Sequence, residues 1–449
     1  MPEIVVFVDE GLGNSSYLVD LGDGRALAID PSRDPVPYER EAGRRRLSIG
    51  YAAETHLHAD FVSGSLELAA RGATVIGAAG DRRAFSHTGV GDGDELDLGG
   101  LRLRALATPG HTPHHLAYLL LDGGRPEALF TGGSLLVGSV ARTDLISPER
   151  TEELARAMYR TVQLQLAALP DELRVYPTHG AGSFCSAPAG VERTTTMGRE
   201  REANPLLTTA DEDVFVARLL DGLGTYPRYF ARLAQVNQQG PPVLGTLPPL
   251  AQLGVADVRR LAAEGAWIID VRDGAEFAKG HIPDALSIHL RDAFGTWLGW
   301  LVPPDVPVLF VCGSDQDRTD LVRQALKVGY EELAGELEGG MEAWRAAGLP
   351  ERTIARVAPA LVDGTLIDVR QASEYIAGHV PGAVLAELGS LGSGAHLPRG
   401  ELRVMCQHGE RATTAASLLQ RAGREGLAVV AGSADDWAAA TGKPLQRGA

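Results

Sequence analysis

Ile269-Asp270-Val271-Arg272, then Glu276-Phe277 and Gly280-His281-Ile282-Pro283, returns later in the chain as Ile367-Asp368-Val369-Arg370, Glu374-Tyr375 and Gly378-His379-Val380-Pro381-Gly382-Ala383. Order and internal spacing are the same in both copies. Each copy runs on to a short apolar strand that ends in a cysteine: Val308–Val311 before Cys312, and Leu402–Met405 before Cys406. A helix-like stretch follows each cysteine. Strand and helix alternation of this kind predicts a mainly parallel sheet with helices on its faces. The second half of the chain therefore reads as two copies of one α/β unit, over 248–350 and 355–449.

The preceding 240 residues read differently. Short apolar strands such as Ile4–Val8, Tyr17–Val19 and Ala26–Ile29 are separated by Gly and Asp turns, with helical stretches at about 62–71 and 148–169. Ser147-Pro148-Glu149 has the composition of an N-cap and first turn. This pattern predicts two sheets with helices outside over 1–240, closed by a helical region at about 209–236. The Gln238–Pro242 segment and the Pro248-Pro249 pair mark a linker.

The 449 residues make about three domains at ~150 residues each. Apolar residues are 44% and charged residues 22%, which excludes global disorder. Three cysteines, Cys185, Cys312 and Cys406, are too few for a disulfide framework. A net charge of −16 argues against a nucleic-acid partner. The short basic run Arg44-Arg45-Arg46 reads as a solvated turn. Met1-Pro2-Glu3 lacks a cationic leader region, and no run approaches 18 apolar residues, so the expected location is the cytoplasm, with no membrane contact.

Two constellations carry chemistry. In Thr55-His56-Leu57-His58-Ala59-Asp60 the two histidines, two apart on an extended chain, point to one side and reach one ion. His111 in Thr108-Pro109-Gly110-His111-Thr112 and His179 in Pro177-Thr178-His179-Gly180 also follow strands. Histidines on loops after strands suit a metal cradle at the edge of a sandwich. His114 and His115 read as structural; His87, His289 and His396 carry no signal. Cys185 follows His179 closely. In the second constellation, Cys406-Gln407-His408-Gly409-Glu410-Arg411 places a thiol between a strand and a helix N-terminus. Backbone N–H groups there favour the thiolate, and Arg411 can bind an oxyanion.

The first set resembles the metallo-β-lactamase superfamily, whose mark is H-x-H-x-D-H plus later His, Asp and His. Within it, AIDPSRDP at 28–35, THLHADFVSGS at 55–65, TPGHT at 108–112 and ARTDL at 141–145 resemble persulfide dioxygenases fused to rhodanese domains. The resemblance implies an αββα sandwich and one Fe²⁺ held by the first motif histidine, the TPGHT histidine and an aspartate. His56 and His111 match. Gly133 stands where the aspartate is expected, and Phe61 replaces the last motif histidine. His58 is then expected as a third ligand, with Asp60 and His179 behind the ligands. A site of three neutral histidines also suits Zn²⁺. Cys185 becomes a candidate sulfur carrier beside the metal.

The second set resembles the rhodanese family, whose loop cysteine carries a persulfide. Cys406 and Arg411 are the expected catalytic pair. The first copy reads Cys312-Gly313-Ser314-Asp315-Gln316-Asp317-Arg318, so Asp317 takes the place of Arg411. Two aspartates beside the thiol are expected to raise its pKa and silence it.

The combined expectation is an α/β multi-domain enzyme of sulfur metabolism. It would oxidise a low-molecular-weight thiol persulfide at a mononuclear metal site. Sulfane sulfur would pass through Cys406, with sulfite or thiosulfate as partner. The resemblance further implies a homo-oligomer. Two alternatives stand: a zinc-dependent thioester or lactone hydrolase with sulfurtransferase domains, and a metal-free N-terminal scaffold carrying a sulfur-carrier rhodanese domain.

Overall fold

The computed structural model describes residues 2–185, 192–392 and 397–448, so His396 lies outside the described residues. The chain divides into two compact units, Met1–Pro248 with Arg323–Gly329, and Pro249–Val322 with Tyr330–Ala449.

The first unit is built on two six-stranded sheets. One runs in the order Ile4–Asp9, Asn14–Asp20, Arg25–Ile29, Ser48–Ala53, Thr74–Ala78, Thr88–Val90. The other runs Thr195–Thr196, Arg174–Pro177, Arg125–Gly132, Leu116–Asp122, Leu101–Ala107, Glu95–Asp97. Both faces of the central strands are apolar, and alternation divides them between layers. Tyr17, Val19, Leu27 and Ile29 point inward to a core shared with Tyr118, Leu120 and Phe130 of the other sheet. Leu18, Ala26 and Ala28 point outward to Ala42 and Leu68 on the helices Val36–Arg44 and Ser65–Ala69. Leu119, Leu121 and Leu129 point outward to Ala155, Met158 and Phe215 on the helices Thr151–Arg160 and Glu212–Asp221. The result is a four-layer αββα sandwich. Phe130 is fully buried between the sheets, and truncating such a ring to alanine costs about 3–5 kcal/mol.

Two local expectations are corrected. The helical stretch at 148–169 is one α-helix, Thr151–Arg160, entered by a 3₁₀ turn and left through a π turn, Thr161–Gln165. Ser147 is extended at its start but makes no side-chain cap. The region 209–236 is two helices, Glu212–Asp221 and Phe230–Gln239, because Gly222 and Gly224 interrupt it.

The second unit holds two five-stranded sheets, every strand pair parallel. Their orders correspond strand for strand: Gln252–Leu253, Leu333–Leu337, Val308–Val311, Trp267–Asp270, Leu286–Ser287 against Ala355–Val357, Leu427–Val430, Leu402–Met405, Thr365–Asp368, Val384–Leu385. The repeated residues build the same joint twice. Arg272 pairs with Asp270 (Nε–Oδ1 2.9 Å) and donates to Gly280 O (3.0 Å); Arg370 pairs with Asp368 (2.9 Å) and donates to Gly378 O (2.8 Å). His281 stacks on Phe277 at 3.8 Å, and His379 on Tyr375 at 3.6 Å. These residues fasten each strand to the turn after its helix. The repeats also bond to each other: Gln420 Oε1 lies 2.8 Å from His281 Nε2, and Ser287 N donates to Ser417 Oγ (3.0 Å). No described helix is long and apolar enough to cross a membrane.

Candidate metal centre and sulfur-transfer loop

The loops after Ser48–Ala53, Leu101–Ala107 and Arg174–Pro177 bring His56, His111 and His179 together, all buried. Their ligand atoms lie within 4.8 Å of one another. The outer partners of each ring fix its tautomer. Thr55 Oγ1 donates to Asp30 Oδ2 (2.8 Å), so it accepts from His56 Nδ1 (2.9 Å). His111 Nδ1 donates to the carbonyl of Arg142 (2.7 Å). Asn14 Nδ2 donates to Asp60 Oδ2 (2.6 Å), which turns its Oδ1 toward His179 Nδ1 (3.1 Å).

All three rings therefore donate outward from Nδ1 and turn Nε2 inward. His56 Nε2 and His179 Nε2 face each other at 3.4 Å, and His111 Nε2 is buried without a hydrogen-bond partner. Three converging Nε2 atoms suit a cation, and a second nitrogen held by a carbonyl, amide or hydroxyl is how metal-bound imidazoles are oriented. Burial and the surrounding rings push His56 well below the usual histidine range. Burial and His179 push His111 down to about 3. Both rings are neutral at pH 7, as ligation requires.

His58 is also buried, with its ring centre 4.2 Å from that of His56. Its Nε2 lies 3.1 Å from Asp30 Oδ1 and 3.1 Å from Glu54 Oε2, in ion-pair reach but without the alignment of a hydrogen bond to either. Burial opposes its charge, yet these two carboxylates raise its pKa to about 10. His58, Asp60 and His179 form a further cluster whose ligand atoms fall within 4.8 Å. Burial pushes Asp60 upward, but His179 and His58 hold it well below the ordinary carboxylate range.

Gly133 is more than a missing carboxylate. A β-carbon there would lie 2.6 Å from His111 Cδ2 and 2.9 Å from Ala141 Cβ, and its N–H donates to His115 Nε2 (2.9 Å). The His111 ring occupies the space a side chain would need. His115 is held at both nitrogens, its Nδ1 lying 2.8 Å from Thr108 Oγ1.

Cys185 is fully buried; burial and the charge of Asp60 keep its thiol protonated. Its carbonyl accepts from Arg142 N (2.8 Å). Arg142 itself is locked on Asp144 (2.6 and 2.7 Å) and stacks on Tyr226. Arg142, Thr55 and Asn14 support the rings without being marked as supports in the sequence; ARTDL and the residue before His56 are the visible signals.

In the second repeat, Cys406 is buried at the mouth of the helix Glu410–Arg421. Gly409 N–H (3.1 Å) and Ala412 N–H (3.4 Å) donate to its Sγ. Gly409 has φ +87°, a conformation that suits glycine and bends the loop around the sulfur. Arg411 makes a bidentate ion pair with Glu374 (2.7 and 2.8 Å), a partner visible in the sequence only as a repeated letter.

Cys312 meets other surroundings. Gly313 N–H donates to Gln316 Oε1 (2.5 Å), and Asp317 Oδ1 accepts from Thr319 N (2.8 Å) at the start of the next helix. The carboxylate that faces the sulfur is Glu336, bound by Arg318 (Nη2–Oε2 2.9 Å). Burial first, then Glu336, raise the Cys312 pKa. The expected direction stands, but Glu336 acts in place of the two loop aspartates.

The metallo-beta-lactamase superfamily pattern matches residues 9–179, and the rhodanese-like domain pattern matches 255–347 and 353–440. The chain belongs to the metallo-beta-lactamase superfamily, among its persulfide-dioxygenase-like members, and carries two rhodanese-like domains after that fold. It is 39% identical over 171 residues to hydroxyacylglutathione hydrolase of Methylococcus capsulatus, covering 37% of this chain and 62% of that protein, which is less than two thirds of its length. It is 31% identical over 206 residues to the mitochondrial persulfide dioxygenase ETHE1 of Homo sapiens, covering 44% of this chain and 73% of that one. A crystal structure of a metallo-beta-lactamase from Staphylococcus aureus subsp. aureus COL superposes with a TM-score of 0.65 at 28% identity, covering 75% of this chain and 98% of that chain. The fold and the His/Asp clusters together support a metal cofactor.

Proposed function

We propose that the chain oxidises a low-molecular-weight thiol persulfide at a mononuclear Fe²⁺ site and moves sulfane sulfur through Cys406. The observation that carries the first half is the convergence of three Nε2 atoms, on His56, His111 and His179, whose Nδ1 atoms are held from outside. These residues would hold the metal, with His179 in the place for which His58 was the sequence expectation. An iron with positions left open by its protein ligands supplies O₂ activation. Thr55, the Arg142 carbonyl and Asn14 hold the rings; His58 keeps its proton toward Asp30 and Glu54; Asp60 steadies Asn14 and His179. Cys185, a protonated thiol beside Asp60, is the carrier candidate within the first unit.

In the transfer half, the Cys406 thiolate attacks the outer sulfur of a persulfide. The S–S bond breaks, the parent thiol leaves with a proton, and Cys406 becomes the persulfide. Attack by sulfite on that outer sulfur returns the thiolate and yields thiosulfate. The two N–H donors on Sγ support the thiolate, and Arg411 supplies the cation for an oxyanion.

Oxygen uptake and sulfite release by the iron-loaded chain given glutathione persulfide test the oxidation. The expectation is uptake that depends on both iron and persulfide; no uptake with iron fully loaded overturns it. A second reading, thioester hydrolysis with Zn²⁺, is favoured by the additional cluster of His58, Asp60 and His179 and by the likeness to the hydrolase. It predicts two zinc ions per chain and thioester cleavage without O₂.

A further inference from the structure

The metal-binding residues act on the sulfur end of a substrate and do not choose the rest of it. A cavity of about 470 Å³ opens beside them, with His111 in its wall, and this falls in the range of about 300–1,000 Å³ typical of small-molecule sites. Much of its lining is apolar, including Leu57, Leu145 and Phe230. Besides His111, its polar residues are Asp81, Arg82, Thr112, His114 and Gln238.

Two of these are already engaged. Asp81 is buried and ion-paired with Arg83 (3.0 Å), and Gln238 Nε2 donates to Asp81 O (2.6 Å). His114 packs its ring against Gly80, where a β-carbon would fall 2.5 Å from Nδ1. Thr112 Oγ1 is buried without a hydrogen-bond partner, and His114 is exposed and makes no hydrogen bond among the described residues; Arg82 differs in carrying a permanent charge. It is exposed and has no hydrogen bond or ion pair among the described residues. Its backbone is left-handed, φ +51° and ψ +47°. Residues with a β-carbon rarely adopt that conformation, and glycine would take it without strain. An arginine stands there, with Arg83 already neutralising the neighbouring carboxylate.

We propose that Arg82 is a specificity residue: it pairs with an anionic group, carboxylate or phosphate, at the far end of the thiol whose sulfur reaches His111. The inference rests on the reading that this cavity serves the metal site. In a chain of net charge −16, an unpaired guanidinium in the cavity wall supplies local attraction for an acidic thiol that the surface as a whole would repel.

The test is equilibrium binding of unreactive thiols to the full chain, which needs no turnover. Glutathione, glutathione dimethyl ester and coenzyme A are the probes, with wild type, Arg82→Gln and Arg82→Lys as proteins. Wild type binds the acidic thiols more tightly than the ester. Arg82→Gln loses about tenfold in affinity for the acid it recognises, the size of one charge-assisted pair. Arg82→Lys keeps part of it, and the ester binds all three proteins alike. A larger loss with coenzyme A than with glutathione assigns a phosphate, and the reverse a carboxylate. In turnover, Arg82→Gln raises KM for that persulfide and leaves kcat. Equal binding of acid and ester by wild type, or unchanged affinity for both acidic thiols in Arg82→Gln, overturns the role of Arg82. Loss of oxygen uptake in every protein with binding intact counts instead against the proposed oxidation.

Discussion

The two rhodanese-like repeats share strand order, the Asp–Arg joint and the stacked histidine, yet their thiols stand in opposite electrostatic settings. Cys406 faces two N–H donors, and the nearby acid, Glu374, is spent on Arg411. Cys312 faces Glu336, and its loop amide is turned to the Gln316 side chain. A single fold therefore presents a thiol to positive dipoles in one copy and to a carboxylate in the other. Both repeats carry an acid on the helix, Glu276 and Glu374; what differs is Glu336 on the strand Leu333–Leu337 of the first repeat, where the matching strand of the second, Leu427–Val430, is wholly apolar. The fold sets where the sulfur sits; the local charge sets what it does.

The comparison breaks most directly at the sulfurs. Cys406→Ser is expected to lower sulfur transfer from thiosulfate to cyanide by more than about a thousandfold, the cost of losing a nucleophile. Cys312→Ser should leave it within about twofold. If the Cys312 variant is the one that loses transfer, the roles are reversed. At intermediate size, Glu374→Gln releases Arg411 from its bidentate clamp and should lower kcat/KM by about tenfold. Steady-state kinetics with thiosulfate read this, and the Glu276→Gln variant in the first repeat should change nothing.

A third variant sharpens the electrostatic half. The thiolate of Cys312 forms only above the ordinary thiol range, because burial and Glu336 oppose its charge. Alkylation of Cys312 in a Cys406→Ser background should therefore rise only at high pH. Glu336→Gln should move that rise to lower pH, with the part due to burial remaining; an unmoved profile removes Glu336 from the account. The smallest effect concerns the joint between repeats. A β-carbon on Gly389 would lie 2.2 Å from the Trp300 ring, so Gly389→Ala should cost about 1–3 kcal/mol, as overpacking does, read as a lowered Tm.

Much of this was legible in the sequence. Repeated letters at fixed spacing reveal the two α/β units, and short apolar strands such as Tyr17–Val19 and Ala26–Ile29, broken by Gly and Asp turns, predict two sheets with helices outside. His56, His111, His179, Cys406 and Arg411 stood out because their chemistry is rare and their loops follow strands. The partners were not legible. Glu374, Glu336, Arg142 and Asn14 act across long stretches of sequence, and nothing local marks an acid as facing a sulfur or an amide as fixing a tautomer. The position of His58 was hidden for the same reason: two residues apart on a strand places two rings on one side, but Asp30 and Glu54 decide where the second ring points. Gly133 reads as a replaced aspartate, whereas its packing against His111 is visible only in three dimensions.

The metal site has the same logic as the thiols, and its proton balance is open to measurement. In metal-free protein, folded His111 titrates near pH 3 while the unfolded chain takes up its proton near 6.5. Stability should fall as pH drops from about 6.5 toward 3, read by thermal melting, and bound metal should steepen the fall by adding its own loss.

Metal content of the full chain, purified without chelators, tests the central claim most directly. The account predicts one metal ion per chain in wild type and little in His111→Ala and His179→Ala. A wild-type chain without metal, or a His179→Ala chain that keeps its full content, would contradict it.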